Sequence, residues 1–425
     1  MTQPTPGTPR DASPTVAPAP PTTSAALPDG DNTAAFRWWM PRLWVGMDTV
    51  GLVKLFARNR FRIAPAQLPV AVADLLYSVP HTGLKWLQQL LLGRAVARTP
   101  MAAPPLFVLG HWRCGTTLLH ELLILDERHT FPTTWQCVAP NAFLLTEPLL
   151  APRLKWLLPE RRVMDNMLMG WDRPQEDEFA LCNLGIPSPY LTVAFPNEGP
   201  AYPEYLDLEG LTPAALARWK RALRRLMQQI TWRTPKRIVL KSPPHTARIK
   251  ALLELFPDAR FVYLVRNPYK VFPSTVHLWK SLERVHAFQT PQFGGLEQYV
   301  LETFERMHRT YEETRHLIPP ENLVELRYEE LVRDPLAHLE SIYERLQLGS
   351  FETVRSAAQT YLTSQQNYRT NRYELSPEMR SAINSRWRDY FERHGYELQA
   401  DGPPNQAAES ANGAQPHEIE VSHRW

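Results

Sequence analysis

At 425 residues the chain can bury a substantial core, and with its loose ends set aside it is sized for one large domain or one domain with a helical appendage. Lys+Arg 47 against Asp+Glu 44 leaves a formal net charge of +3, which excludes a protein built as a whole for nucleic acid; any basic patch is local. The three cysteines, Cys114, Cys137 and Cys182, form no CxxC pair, so neither a zinc site nor a disulfide framework is signalled and a reducing, cytoplasmic setting fits.

Residues 1–35 hold eight prolines among Thr, Ala and Ser. Such a tail buries too little apolar surface to offset chain entropy, and disorder is expected there, as in the polar tail 399–425. Residues 36–100 change character, with Phe36, Trp38, Trp39, Trp44, Phe56 and Phe61 interleaved with Arg37, Arg42, Lys54, Arg58, Arg60 and Arg62. This helical, basic-aromatic segment suits either a peripheral membrane contact through 36–62 or a lid packed on the main domain with snorkelling arginines. A true span is not expected, because Pro65, Pro69, Asp74 and Pro80 cut its most apolar portion, Ile63 to Leu84.

The stretch 104–125, PPLFVLGHWRCGTTLLHELLIL, turns an apolar run into a glycine-bounded polar loop and then into a helical pattern. Leu106 to Leu109 read as a buried strand, Gly110 to Gly115 as the turn, and Leu118, Leu119, Leu122 and Leu123 as one face of a helix from about Thr116. A helix start after such a loop presents unpaired N–H groups and the positive end of the helix dipole, which together cradle an anion. A Walker A loop has lysine after its second glycine; here that position is Thr116, so an ordinary ATPase is disfavoured. Arg113 supplies a cation from inside the loop, and Thr116 and Thr117 add hydroxyls.

Residues 129–211 are rich in proline, aromatics and methionine without a long helical period, and read as acceptor-side structure. Within them Glu176, Asp177 and Glu178 follow Pro174 among apolar neighbours. Such acids suit general-base work, and equally a helix first turn with Pro174 at its first position. A helix from Pro213 to about Trp232 comes next. Two further strand–loop–helix units follow: Arg237 to Leu240 running into Lys241, Ser242 and His245, and Phe261 to Val265 running into Arg266 and Asn267. Consecutive units of this kind imply right-handed crossovers and a parallel sheet, with the polar residues at the strand carboxyl ends sharing one crevice.

The run Gly110-His111-Trp112-Arg113-Cys114-Gly115-Thr116-Thr117 resembles the 5′-phosphosulfate loop of sulfotransferases that use 3′-phosphoadenosine-5′-phosphosulfate (PAPS). Arg266-Asn267-Pro268 with Ser274 resembles their 3′-phosphate site, and Tyr328-Glu329-Glu330-Leu331 their strand-end tyrosine near the nucleotide. Tyr368 to Tyr373 before the Ser376-Pro377 helix start resembles the segment that closes over the nucleotide, with Arg369 and Arg372 as its candidate ligands; the glycine-rich form of the cytosolic branch is absent. The resemblance covers about 104–395 and lies nearer the bacterial and tyrosylprotein-like branch.

It implies a P-loop-like three-layer α/β/α domain over 101–398 with a central parallel sheet, and PAPS as co-substrate without a metal. Its nucleotide residues would be Arg113, Cys114, Gly115, Thr116, Thr117, Arg266, Ser274 and Tyr328, with Arg113 and Thr116 on the 5′-phosphosulfate. Sulfuryl transfer would go to a hydroxyl or amine of a small-molecule or lipid-like acceptor. Glu176 would be the base and Lys241 the cation on the bridging oxygen, with Asp177 and Glu178 not separable by spacing and His245 as the histidine alternative. Two other classes stay open: a P-loop-like kinase using ATP and magnesium, and a non-catalytic, membrane-docked protein of the same fold.

Overall fold

The computed structural model describes residues 40–159, 169–365 and 375–400. The expectations for 1–39, 401–425, Arg369 and Arg372 lie outside these. Five parallel strands form the centre: β1 (Leu106–Leu109), β2 (His129–Thr130), β3 (Arg237–Lys241), β4 (Arg260–Val265) and β5 (Leu323–Arg327), in the order β2-β3-β1-β4-β5. The chain leaves central β1 for β3 on one side and β4 on the other, so the carboxyl ends of these three strands flank a topological switch point.

Alternation along β1 divides the core. Leu106 and Val108 join Val239, Val262 and Leu264 in one apolar cluster, covered by α3 (Thr116–Leu123), α11 (Tyr328–Arg333), α12 (Pro335–Arg345) and α13 (Glu352–Ser364). Phe107 and Leu109 join Leu240, Phe261 and Tyr263 in the other, under α7 (Pro213–Arg233), α8 (Ile249–Leu255), α9 (Pro268–His286) and α10 (Leu296–Thr314). The helices α14 (Pro377–Arg386) and α15 (Arg388–His394) add Ile383, Tyr390 and Phe391 to that second cluster. β1, β3 and β4 are buried on both faces and read as continuous apolar runs, which makes them visible in the sequence, whereas the two-residue β2 lies in a stretch read as irregular. The fold is the expected three-layer α/β/α.

Before β1 lie α1 (Thr49–Arg58) and the 31-residue α2 (Leu68–Arg98). Asp48 caps α1 by accepting from Gly51 N at 2.7 Å and binds Lys85 of α2 at 2.5 Å. Trp44 is fully buried and donates to His286 O at 3.1 Å, while Phe56 packs edge-on against Phe288. The described part of the basic-aromatic segment is therefore packed on the main domain through these side chains. Pro80 does not break α2; the helix runs through it at an exposed position, and Pro69 sits in its first turn where no N–H partner is lost. Among the described residues no helix is long and apolar enough to cross a membrane.

Residues 131–211 carry only short helices, among them α4 (Thr134–Val138), α5 (Phe143–Leu150) and α6 (Asp177–Asn183). α6 starts three residues later than Pro174 foretold. Thr134 N donates to Arg173 O at 2.8 Å and Gln175 N to Pro132 O at 2.9 Å, which holds 173–175 extended and leaves Glu176 as the N-cap.

Candidate active site

The loop between β1 and α3 is shaped by its two glycines. Gly110 has φ +143° and lies so close to Leu264 O that a Cβ would stand 2.6 Å from it; Gly115, at φ +90°, would place a Cβ 2.1 Å from the Tyr328 ring. The ring thus lies directly on the loop at the first turn of α3, and only glycine permits the approach. Gly110 N is held by Thr246 Oγ1 at 2.8 Å. Thr116 is buried and Thr117 half-buried at the helix start. The Cys114 thiol is buried and pushed up to about 12 by that burial, so the residue offers the loop its backbone rather than a thiolate.

Arg113, expected on the 5′-phosphosulfate, has a left-handed backbone at φ +67°. Its Nε donates to Ser274 Oγ at 2.8 Å, and Arg266 Nη1 donates to Arg113 O at 2.9 Å. The Arg266 guanidinium also sits 4.2 Å from the centre of the Tyr328 ring. Arg113, Arg266, Ser274 and Tyr328, drawn from the ends of β1, β4 and β5 and from α9, therefore form one cationic corner. Arg113 belongs to it because the left-handed backbone at this position swings the side chain towards α9. The corner is steadied by Tyr390, whose hydroxyl accepts from Arg266 N at 3.1 Å and donates to Arg266 O at 3.2 Å.

The acid triplet meets residues 241–248 as a seam of matched charges. Glu176 accepts from Lys241 Nζ at 2.5 Å; Asp177 accepts from His245 Nε2 and Ser242 Oγ, each at 2.7 Å; Glu178 takes Arg248 in a bidentate pair at 2.5 and 3.0 Å and Ser188 Oγ at 2.5 Å. Asp177 and Glu178 are fully buried, whereas Glu176 keeps some exposure. Burial works against the Asp177 carboxylate, but His245, Ser242 and Arg248 outweigh it and hold the group below the usual range. His245, at 1 % side-chain exposure, is enclosed by Asp177, Phe107 and Trp219. The histidine alternative thus lies inside the seam, whereas Glu176 keeps 15 % side-chain exposure.

Glu176 lines a partly open cleft whose walls are mostly apolar, with Trp112, Phe179, Leu278 and Trp279 prominent. Tyr190 joins it there, donating to Glu176 Oε2 and accepting from Trp112 Nε1 at 2.9 Å. Burial first and Glu176 second hold the Tyr190 hydroxyl well above the ordinary phenol value, so it stays a donor. Lys241 is paired in register with Val108, two residues before the loop, so the carboxylate, the ammonium and the anion cradle stand at one strand edge. Sequence reasoning missed Tyr190 and Tyr390; the first lies in an irregular stretch and the second on an ordinary amphipathic helix, and neither has a motif.

A model described as "Sulfotransferase family" matches residues 104–353. The chain is 44% identical over 378 residues to the omega-hydroxy-beta-dihydromenaquinone-9 sulfotransferase Stf3 of Mycobacterium bovis and equally to that of Mycobacterium tuberculosis, covering 89% of this chain and 97% of each relative. Among solved structures, sulfotransferase STF9 from Mycobacterium avium aligns with a TM-score of 0.60 at 24% identity, over 75% of this chain and 83% of its own. Sulfotransferase STF1 from Mycobacterium tuberculosis H37Rv aligns with a TM-score of 0.53 at 19% identity, over 79% and 90%. These two likenesses are of fold.

Proposed function

The chain belongs to the sulfotransferase family, and from that premise we propose that it carries a sulfuryl group from PAPS to the terminal hydroxyl of an apolar, lipid-like acceptor. The observation that carries the reading is the position of Glu176, which meets Lys241 at the mouth of an apolar cleft while its two acidic neighbours are locked into buried pairs. The relative named above acts on an omega-hydroxylated dihydromenaquinone, an apolar molecule with a terminal hydroxyl, and this cleft has walls suited to that chemistry.

The residues fit the donor's two charged ends. The backbone of 110–117 with Thr116 and Thr117 suits the 5′-phosphosulfate at the start of α3, and Arg113, Arg266 and Ser274 suit the 3′-phosphate. PAPS, when bound, supplies the sulfuryl group and its phosphate leaving group. Glu176 takes the acceptor's hydroxyl proton as the new O–S bond forms, and Lys241 neutralises the charge left on the phosphate oxygen as the old S–O bond breaks. The 2.5 Å contact between them is a resting arrangement, since the reacting atoms must enter between base and cation. Tyr190 keeps the carboxylate aimed into the cleft.

Initial rates with PAPS and three acceptors test this: an omega-hydroxylated prenyl quinol, a simple phenol and a charged sugar. Sulfation of the prenyl quinol at least about a hundredfold faster than the sugar is expected, a discrimination of roughly 2.7 kcal/mol. Preference for the sugar would overturn the acceptor class.

A further inference from the structure

α2 has a buried face that includes the polar residues Asp74, Ser78 and Gln88, and an outward face that is apolar. One carries Val70, Ala71, Ser78, Gln88 and Val96 into the protein. The other carries Leu68, Val72, Leu76, Val79, Trp86 and Leu90, which are 49 to 82% exposed, along about 33 Å of helix. A surface helix ordinarily turns its polar side to water, whereas α2 buries Asp74, Ser78 and Gln88 and turns an apolar stripe outward. Phe61 extends the surface at 59% exposure, on a turn where Arg60 and Phe61 both have φ of 53°. An apolar face this long on a protein exterior marks an interaction site.

The charges around it select the partner. Between residues 40 and 98 the only acids are Asp48, bound to Lys85, and Asp74, buried at 5% exposure. Lys54, Arg60, Arg94 and Arg98 are exposed around the apolar stripe, so the outward-facing charge here is positive. A second copy docked on the same face by a twofold axis would bring two like-charged rims together. An anionic lipid surface matches both features at once, the apolar stripe entering the headgroup boundary and the cations meeting lipid phosphates.

We propose that the outer face of α2, with Phe61, docks this protein on an anionic bilayer as an interfacial helix. Leu43, in the short stretch leading to α1, also lines the acceptor cleft, so the docked segment and the cleft are contiguous in the chain. That docking delivers the acceptor from lipid rests on the acceptor reading above; the docking itself does not.

The test uses the full chain, without PAPS or acceptor, in co-sedimentation with phosphatidylcholine vesicles and with vesicles of phosphatidylcholine and phosphatidylglycerol. Binding should be at least about tenfold tighter to the anionic vesicles and should weaken with salt, which screens the attraction between exposed cations and lipid phosphates. The triple variant Leu76→Glu, Trp86→Glu, Leu90→Glu should lose at least about tenfold of that binding while keeping its thermal midpoint and its turnover of a short, water-soluble acceptor. Wild-type protein that stays in the supernatant with both vesicles overturns the proposal, as does a variant that sediments like wild type. So does light scattering that shows a wild-type dimer, dissolved by the same substitutions, with no vesicle binding. Failure of any of these leaves the acceptor class untouched, because that is read from the rate comparison.

Discussion

Two charged clusters stand at the same edge of the sheet and are built in opposite ways. In the seam between Glu176–Glu178 and residues 241–248, cations meet carboxylates pair by pair, and two of the three pairs are fully enclosed. In the corner formed by Arg113, Arg266, Ser274 and Tyr328, the Arg266 guanidinium rests on the Arg113 carbonyl and the Tyr328 ring. A matched, dry pair fixes geometry and has little left to offer a ligand. A cation resting on neutral groups keeps its charge for an anion that arrives later. On the proposed reading the first cluster positions a base and the second recognises a phosphate.

Substitutions should separate the two in a definite order. Glu176→Gln removes the base without emptying the seam, and single-turnover sulfuryl transfer should slow by roughly 10²- to 10⁴-fold with affinity for adenosine 3′,5′-bisphosphate unchanged. Near-normal chemistry in that variant would make the whole seam structural. Arg248→Ala leaves Glu178 buried and unpaired, so urea unfolding should show a loss of about 3–5 kcal/mol; a loss below about 1 kcal/mol would mean the enclosed pairs do not hold the site. Arg266→Ala should cost little stability but weaken adenosine 3′,5′-bisphosphate by roughly 1.5–3 kcal/mol, with adenosine 5′-monophosphate barely affected. Equal losses for both nucleotides, read by calorimetry, would remove the corner from the 3′-phosphate.

The smallest effect is confined to acid. Because Asp177 is held below its ordinary carboxylate value in the folded chain, it contributes stability that is fully present above about pH 4 and is lost as pH falls through the depressed value. The unfolding midpoint of the wild type should drop more steeply below pH 4 than that of Asp177→Asn. Parallel curves would show that this pair does not drive the acid response.

The corner was largely legible in the sequence, and the seam only in part. Arg113, Arg266 and Tyr328 each sit at or just beyond a strand end, where an apolar run meets a polar residue, and that transition is a local signal; Ser274 lies within α9 and was marked by its spacing from Arg266. Even so, the side on which Arg113 falls depends on its left-handed backbone, which nothing in Trp112-Arg113-Cys114 announces. The acid triplet was visible as a charge run, but its division was not. Successive residues at a helix start point about 100° apart, so three neighbours in sequence face three environments, and only the packed structure says that Glu176 faces the cleft. Tyr190 was invisible because its stretch has no period to violate. Pro80 counted against a membrane span, and no described helix is long and apolar enough to be one; at its exposed helical position the freed carbonyl can turn to water, so the helix itself continues.

The seam also has a history in time. Its partners lie 65, 68 and 70 residues apart along the chain, in the same order on both strips, so the first pair to close brings the other two to hand. Closing one such loop is entropically unfavourable, and doubling its length would add only about 0.6 kcal/mol. The three contacts should therefore be gained together once β3 has joined the sheet. Trp219 stands 5.2 Å from the Arg248 guanidinium and is fully buried, so the fluorescence difference between wild type and Trp219→Phe follows that closure among the chain's 13 tryptophans. During refolding, transferase activity should return in the same phase as the Trp219 signal, and a chain that has built its sheet without the seam should bind nucleotide before it can turn over.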